Sequence, residues 1–315
     1  MTVPVDALGV HATNGINHCT IDYSDLQDIL LNKNGDTALH KRFRALFYLK
    51  GLGTETAVDI IARAFNDPSV LLRHELAYVL GQMKLPYANP ILSAVLGNLN
   101  EDPMVRHEAA EALGAIAHPS SLTILESYRK DPVRVVSQTC ELAIEKIHYE
   151  EQKGKHIITE DMNSKYASID PAPPIASVKS TQELKDILLN PMLPLFERYR
   201  AMFALRNRGD EESVLALADG FKDDSPLFRH EVAYVFGQMQ HPASVPSLIQ
   251  TLSNESEESM VRHECAEALG SIATTDCLPV LRRYAADPVR VVRESCVVGL
   301  DMYEYENSNW QFQPL

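Results

Sequence analysis

The chain has 315 residues, 45% of them hydrophobic and 23% charged, with a formal net charge of −14. That length buries a sizeable core, as one large domain or two smaller ones. The acidity argues against a nucleic-acid surface and suits a basic or polycationic partner, although it also serves plain solubility. The five cysteines (Cys19, Cys140, Cys265, Cys277, Cys296) show no C-x-x-C spacing, so reduced thiols and a cytoplasmic or nuclear setting are expected. No basic-then-apolar leader opens the chain. No apolar run approaches the roughly 18 residues of a membrane span, so no membrane partner is expected.

Residues 1–21 are polar and aperiodic and read as a flexible tail. Helical text begins at Tyr23 and runs to Asn34-Gly35, then from Ala38 to Leu49. Gly51-Leu52-Gly53 breaks it, and Thr54 to Phe65 follows. Asn66-Asp67-Pro68 then reads as a helix start: the aspartate caps free N–H groups, and proline at the first helical position needs no N–H partner. The start recurs at Asp102-Pro103, Asp131-Pro132 and Asp287-Pro288. Recurrence at about 30 residues predicts stacked helical hairpins, a solenoid. Sustained period-2 alternation is absent, so the expected fold is all-α.

Four hairpins are expected over 22–149. Residues 150–180 are charged, proline-rich and aperiodic, and read as a linker, semi-extended at the prolines. The first half then returns over 181–304, before a polar tail at 305–315. Arg73-His74-Glu75-Leu76-Ala77-Tyr78 matches Arg229-His230-Glu231-Val232-Ala233-Tyr234. Met104-Val105-Arg106-His107-Glu108 matches Met260-Val261-Arg262-His263-Glu264, and Asp131-Pro132-Val133-Arg134 matches Asp287-Pro288-Val289-Arg290. The shift is 156 each time (230 − 74, 263 − 107, 287 − 131), so the halves align without a net gap.

Four His-Glu dipeptides mark this duplication: His74-Glu75, His107-Glu108, His230-Glu231 and His263-Glu264. On the helix after Pro68, Leu72, Leu76, Val79, Leu80 and Met83 form one apolar stripe. His74, Tyr78, Gln82 and Glu75 fall away from it. Val105, Ala109, Ala112, Leu113 and Ile116 repeat the stripe, with His107, Glu108 and Glu111 turned away. A satisfied core histidine does not fit that placement four times over. A solvated charged face predicts interchangeable polar residues, not four identical dipeptides. The outer repeats are an internal control: the equivalent positions hold Phe43-Arg44, Tyr199-Arg200 and, approximately, Ser137-Gln138 and Arg293-Glu294. The scaffold itself does not need His-Glu.

Four imidazoles and four carboxylates turned toward one surface form a nitrogen–oxygen ligand set without thiolate, which excludes a cysteine-type structural zinc site. Two histidines and one carboxylate per metal leave open positions, as in non-heme iron oxygenases; zinc or manganese hydrolases use the same ligands. The 156-residue shift suggests two metals about a pseudo-two-fold axis. Glutamates beyond the metals' needs would hold a cationic substrate, fixing a long flexible amine in place.

With its four paired His-Glu dipeptides, the chain resembles the deoxyhypusine hydroxylases, di-iron monooxygenases built of HEAT-like repeats. The resemblance spans both halves and the linker. It implies an α-solenoid of about eight HEAT-like hairpins in two pseudo-symmetric halves of four. It implies two iron ions, O2 as co-substrate and an external reductant. The implied substrate is the deoxyhypusine side chain (lysine extended by an aminobutyl group) of the hypusine-containing eukaryotic translation factor, and the implied product is hypusine. By position, His74, His107 and Glu108 would hold one iron, and His230, His263 and Glu264 the other. Glu75 and Glu231 would face the substrate amines. Tyr78, Tyr234, Gln82 and Gln238 share the functional face and read as entry lining. Met104 and Met260 read either as further lining or as packing beside the helix starts. A monomer is expected. Three rivals make different predictions: a non-catalytic scaffold holds no metal, a dinuclear hydrolase works without O2, and a chromophore lyase needs a reactive cysteine or acidic dyad.

Overall fold

The computed structural model describes residues 23–155, 165–176 and 179–308. The expected N-terminal tail, linker residues 156–164 and 177–178, and the chain beyond 308 lie outside the described residues. Among the described residues there are sixteen α-helices and no strand. Short helices are α1 (Ser24–Leu30), α3 (Glu55–Arg63), α5 (Asn89–Gly97), α7 (Leu122–Tyr128), α9 (Thr181–Leu188), α11 (Glu211–Ala218), α13 (Val245–Ser253) and α15 (Cys277–Tyr284). They alternate with longer ones: α2 (Leu39–Leu52), α4 (Val70–Met83), α6 (Pro103–Ile116), α8 (Arg134–Lys155), α10 (Leu195–Arg208), α12 (Pro226–Met239), α14 (Ser259–Ile272) and α16 (Arg290–Glu306). The long helices stack side by side, α2–α4–α6–α8 and α10–α12–α14–α16, with the short ones packed against them.

The expected boundaries move at several points. Helix α2 continues through Gly51 and stops only at Gly53, which takes the left-handed conformation (φ 61°) suited to glycine at a helix end. Helix α8 runs on to Lys155, into the stretch read as linker, and α16 runs to Glu306, into the stretch read as tail. Asp-Pro opens a helix as cap and first residue only at Asp102-Pro103, where Asp102 accepts from Met104 N–H. Helix α4 instead starts at Val70, capped by the Ser69 hydroxyl. The reason is a second duty of the aspartates. Arg42, Arg106, Arg198 and Arg262 each pair with the aspartate 25 residues later (Asp67, Asp131, Asp223, Asp287), and the other carboxylate oxygen accepts the backbone N–H two residues on in all four. Each guanidinium also donates to a carbonyl in the last turn of the preceding short helix, at Leu30, Leu96, Leu188 and Leu252. These buried pairs tie successive hairpins together; a charge so buried is tolerated only when fully partnered.

The two stacks face one another and meet at both ends. Helix α16 touches α2 and α4, and α8 touches α10 and α12. The seams repeat the 156-residue shift: Ser69 Oγ donates to Glu294 and Ser225 Oγ to Gln138, while Arg290 reaches the Pro68 carbonyl and Arg134 reaches Asp224. The result is a ring of long helices with its dipeptides inside.

Close approach of the long helices depends on missing side chains. A Cβ placed on Gly81 of α4 would lie 2.7 Å from the Ala112 Cα of α6, and one on Gly270 of α14 would lie 2.5 Å from the Gly299 Cα of α16. Backbone cannot yield there as a side-chain tip can. Gly81→Ala and Gly270→Ala should each destabilise the protein by about 1–3 kcal/mol through overpacking. Gly97→Ala, whose Cβ meets nothing closer than the Tyr128 hydroxyl at 3.5 Å, should not. Urea unfolding of the three variants checks the order.

Candidate metal centre

The ring brings all four dipeptides together: His74 and Glu75 from α4, His107 and Glu108 from α6, His230 and Glu231 from α12, His263 and Glu264 from α14. The imidazoles form one cluster, with ring centroids 5.5 Å apart for His74–His107, 5.3 Å for His230–His263, and 5.2 Å across the halves for His74–His263. They are buried, with 4, 0, 5 and 0% exposure in chain order. The expected outward-facing surface is therefore an interior. The helical-wheel reading separates each histidine from the core of its own stack, but it does not see the opposite stack that covers it.

Seven of the eight ring nitrogens are buried without a hydrogen-bond partner, His263 Nδ1 being the exception. His74 Nε2 lies 3.2 Å from Glu108 Oε2 and His230 Nε2 lies 3.4 Å from Glu264 Oε2, yet neither makes a hydrogen bond. Such atoms are rare in native proteins and call for an ion or water. Ligand atoms of His74, His107 and Glu108 lie within 4.8 Å of one another, as do those of His74, His230 and His263, and those of His263, Glu264 and Glu267. The donor set is nitrogen and carboxylate oxygen only, which fits iron, zinc or manganese.

Glu267 was not singled out by the sequence reasoning, nor was its counterpart Glu111 given a role. The signal was present: both stand four residues after a cluster histidine, on the same helical face. Glu267 accepts from Ser295 Oγ at 3.1 Å, and the same hydroxyl lies 3.5 Å from His263 Nδ1. Ser295 carried no pattern in the sequence.

A cavity of about 470 Å³ leads to the cluster between α2 and α16. Glu75, Glu264 and Glu267 line it, as do Phe47, Tyr78 and Tyr234. Tyr78 and Tyr234 meet hydroxyl to hydroxyl at 3.0 Å. Gln238 also lines the cavity, whereas Gln82 brackets the linker backbone at Ile169 through both its amide atoms. Glu231 does not line it; its Oε1 is buried without a partner. Met104 and Met260 sit in the apolar core and are not among the lining residues.

Burial sets the protonation of the site. Desolvation, reinforced by neighbouring carboxylates, pushes Glu75 up to about 7 and Glu108 and Glu111 up to about 8, and holds Glu231 and Glu267 well above the usual carboxylate range. Desolvation lowers His74, and holds His107 and His263 well below the usual imidazole value. Burial also lowers Lys50, against the pull of Glu75.

Two family models match the chain: HEAT repeats over residues 57–145 and 214–301, and PBS lyase HEAT-like repeat over 197–223. A deoxyhypusine hydroxylase of Candida albicans is 57% identical over 307 residues, covering 93% of this chain and 96% of the relative. The human deoxyhypusine hydroxylase is 55% identical over 268 residues, covering 85% and 87%. A solved structure of the human enzyme in complex with glycerol superposes with a TM-score of 0.85 at 52% identity, covering 89% of this chain and 95% of that one.

The metal-free protein should lose stability as pH rises from 6.5 to 8. Raised carboxyl values stabilise the fold below the unfolded value of 4.5, and that contribution is lost as pH climbs through about 7 and 8. The lowered histidines act in the opposite sense, but only as pH falls below their ordinary 6.5. Metal loading near neutral pH should release protons, because carboxylates bind metal only when ionised. Denaturant unfolding across the pH range, and titration calorimetry in buffers of different ionisation enthalpy, check both; rising stability over that window contradicts the first.

Proposed function

The chain belongs to the deoxyhypusine hydroxylase family, and from that membership we propose that it is a di-iron, O2-dependent monooxygenase acting on the hypusine-containing translation factor. The enzyme carries out the hydroxylation step of hypusine biosynthesis on a protein substrate. The observation that carries the iron reading is the cluster of four buried imidazoles with unpartnered nitrogens, beside carboxylates that line a cavity.

His74, His107 and Glu108 would hold one iron; by the 156-residue shift, His230, His263 and Glu264 would hold the other, with Glu267 a further oxygen donor beside His263. When bound, the iron pair supplies O2 activation, with two electrons from an external reductant balancing one oxygen atom into the substrate and one into water. The residues supply the rest. Glu75 lies where a substrate ammonium would end, and it pairs best once ionised. The aromatic walls of Phe47, Tyr78 and Tyr234 suit the methylenes between the amines and keep water from the reacting carbon. Fixing the amine end positions one carbon beside the histidines, which turns a flexible chain into a near-attack geometry. Glu231, the counterpart of Glu75, is buried and does not line the cavity. A cytoplasmic or nuclear setting is part of this reading; the four cysteines among the described residues are buried free thiols.

His107→Ala and His263→Ala should each lose metal and hydroxylation of a deoxyhypusine-bearing protein substrate, while circular dichroism stays helical. Full activity in either variant removes the ligand assignment. Glu108→Ala should lose more metal than Glu75→Ala, whose main defect should be a raised KM; the reverse order would overturn the division of the glutamates.

A further inference from the structure

We propose that substrate reaches the histidine cluster through one mouth only, and that Arg206 is the positioning residue that closes the mouth related to it by pseudo-symmetry. This rests on the substrate reading above and adds a direction to it. A ring built from two like halves offers its centre two equivalent approaches. The 156-residue shift pairs Phe43 with Tyr199, Phe47 with Phe203, Lys50 with Arg206 and Glu75 with Glu231. On the α2 side, Phe43, Phe47, Lys50 and Glu75 line the open cavity, and Phe47 and Lys50 are half-buried. On the α10 side, Tyr199, Phe203 and Arg206 are all 0% exposed.

The difference lies in what the linker does. Arg206 donates to both oxygens of Asp170, at 2.8 and 2.7 Å, and to Gln238 Oε1 at 2.8 Å. Its guanidinium carbon lies over the rings of Tyr166, 4.5 Å from the centroid, and Phe203, 4.7 Å from the centroid. Asp170 and Tyr166 belong to the linker. The same segment is pinned by Gln82 at Ile169, by Gln238 Nε2 donating to Ser168 Oγ, and by Ile175 N–H donating to the Arg200 carbonyl. It leaves the rim of the open mouth, where Tyr166 and Ser168 line the cavity, and crosses onto α10.

A guanidinium is suited to this role because its planar fork engages a carboxylate through two parallel bonds while its faces stack on aromatic rings. Lysine at the equivalent position offers only a point charge. The Lys50 ammonium lies 5.6 and 5.7 Å from the Phe47 and Tyr78 rings, and that side stays open. The two equivalent carboxylates therefore part company: Glu75 faces the cavity and Glu231 is sealed. One mouth gives the substrate one orientation at a centre that is otherwise nearly two-fold symmetric.

The test is photo-crosslinking to the metal-loaded full chain. The probe is a peptide carrying deoxyhypusine with a benzophenone side chain beside it, and adducts are mapped by mass spectrometry. Adducts that unlabelled peptide competes away should fall within residues 40–50 and 298–306. Asp170→Ala, and separately Arg206→Lys, which keeps the charge and loses the fork, should raise competed labelling at 142–150 and 196–206 by about tenfold, equivalent to about 1.4 kcal/mol of lost closure. Circular dichroism of each variant separates opening from unfolding. Competed adducts on the α10 side of the unaltered protein, or no change in either folded variant, would overturn the single-mouth proposal alone. Absence of any competed adduct would overturn the substrate assignment, and this proposal with it.

Discussion

A buried imidazole nitrogen without a hydrogen-bond partner costs about 1–3 kcal/mol, and seven of them converge at the centre of this ring. The rest of the architecture exists around that cost. Two stacks of helices are bent to face each other, joined at both seams, and drawn close by glycines where the long helices touch. Buried arginine–aspartate pairs lock each hairpin to the next, so the stacks hold their spacing without help from the centre. Such a scaffold can keep ligands apart from their partners until metal arrives, because its stability is generated elsewhere.

Pseudo-symmetry and its breaking divide the labour. The elements that hold the centre obey the 156-residue shift closely: histidines, adjacent glutamates, the Tyr78–Tyr234 contact on the axis, and the serine contacts at the seams. The elements that meet the outside depart from it. Lysine stands against arginine at 50 and 206, and the linker only rims the cavity on one side while its Asp170 grips Arg206 on the other. A symmetric core suits a pair of like metals. An asymmetric rim suits a single substrate.

Much of this was legible in the sequence, for physical reasons. Helical periodicity, the recurring Asp-Pro text and the exact internal register give an all-helical repeat fold, because each hairpin must bury the same apolar stripe. The dipeptides stand out because outer repeats with the same scaffold carry Phe43-Arg44 or Tyr199-Arg200 instead. What sequence pattern does not carry is the contact between stacks. A helical wheel places His74 off the stripe, but only tertiary packing decides whether that face meets water or another stack. The same limit hid Ser295 and the grip of Asp170 on Arg206, each of which depends on a partner from another helix or from the aperiodic linker. Met104 and Met260 show the opposite case: nearness in sequence to the dipeptides did not bring them to the cavity, because their helical angle turns them into the core.

The central claim is that the histidine cluster holds a pair of irons. A crystal structure of protein loaded with Fe(II) without oxygen, with anomalous data collected on both sides of the iron absorption edge, tests it most directly. The account predicts two iron peaks per chain, one touched by His74, His107 and Glu108 and the other by His230, His263 and Glu264. A single peak, peaks away from these side chains, or no anomalous signal at the cluster would contradict it.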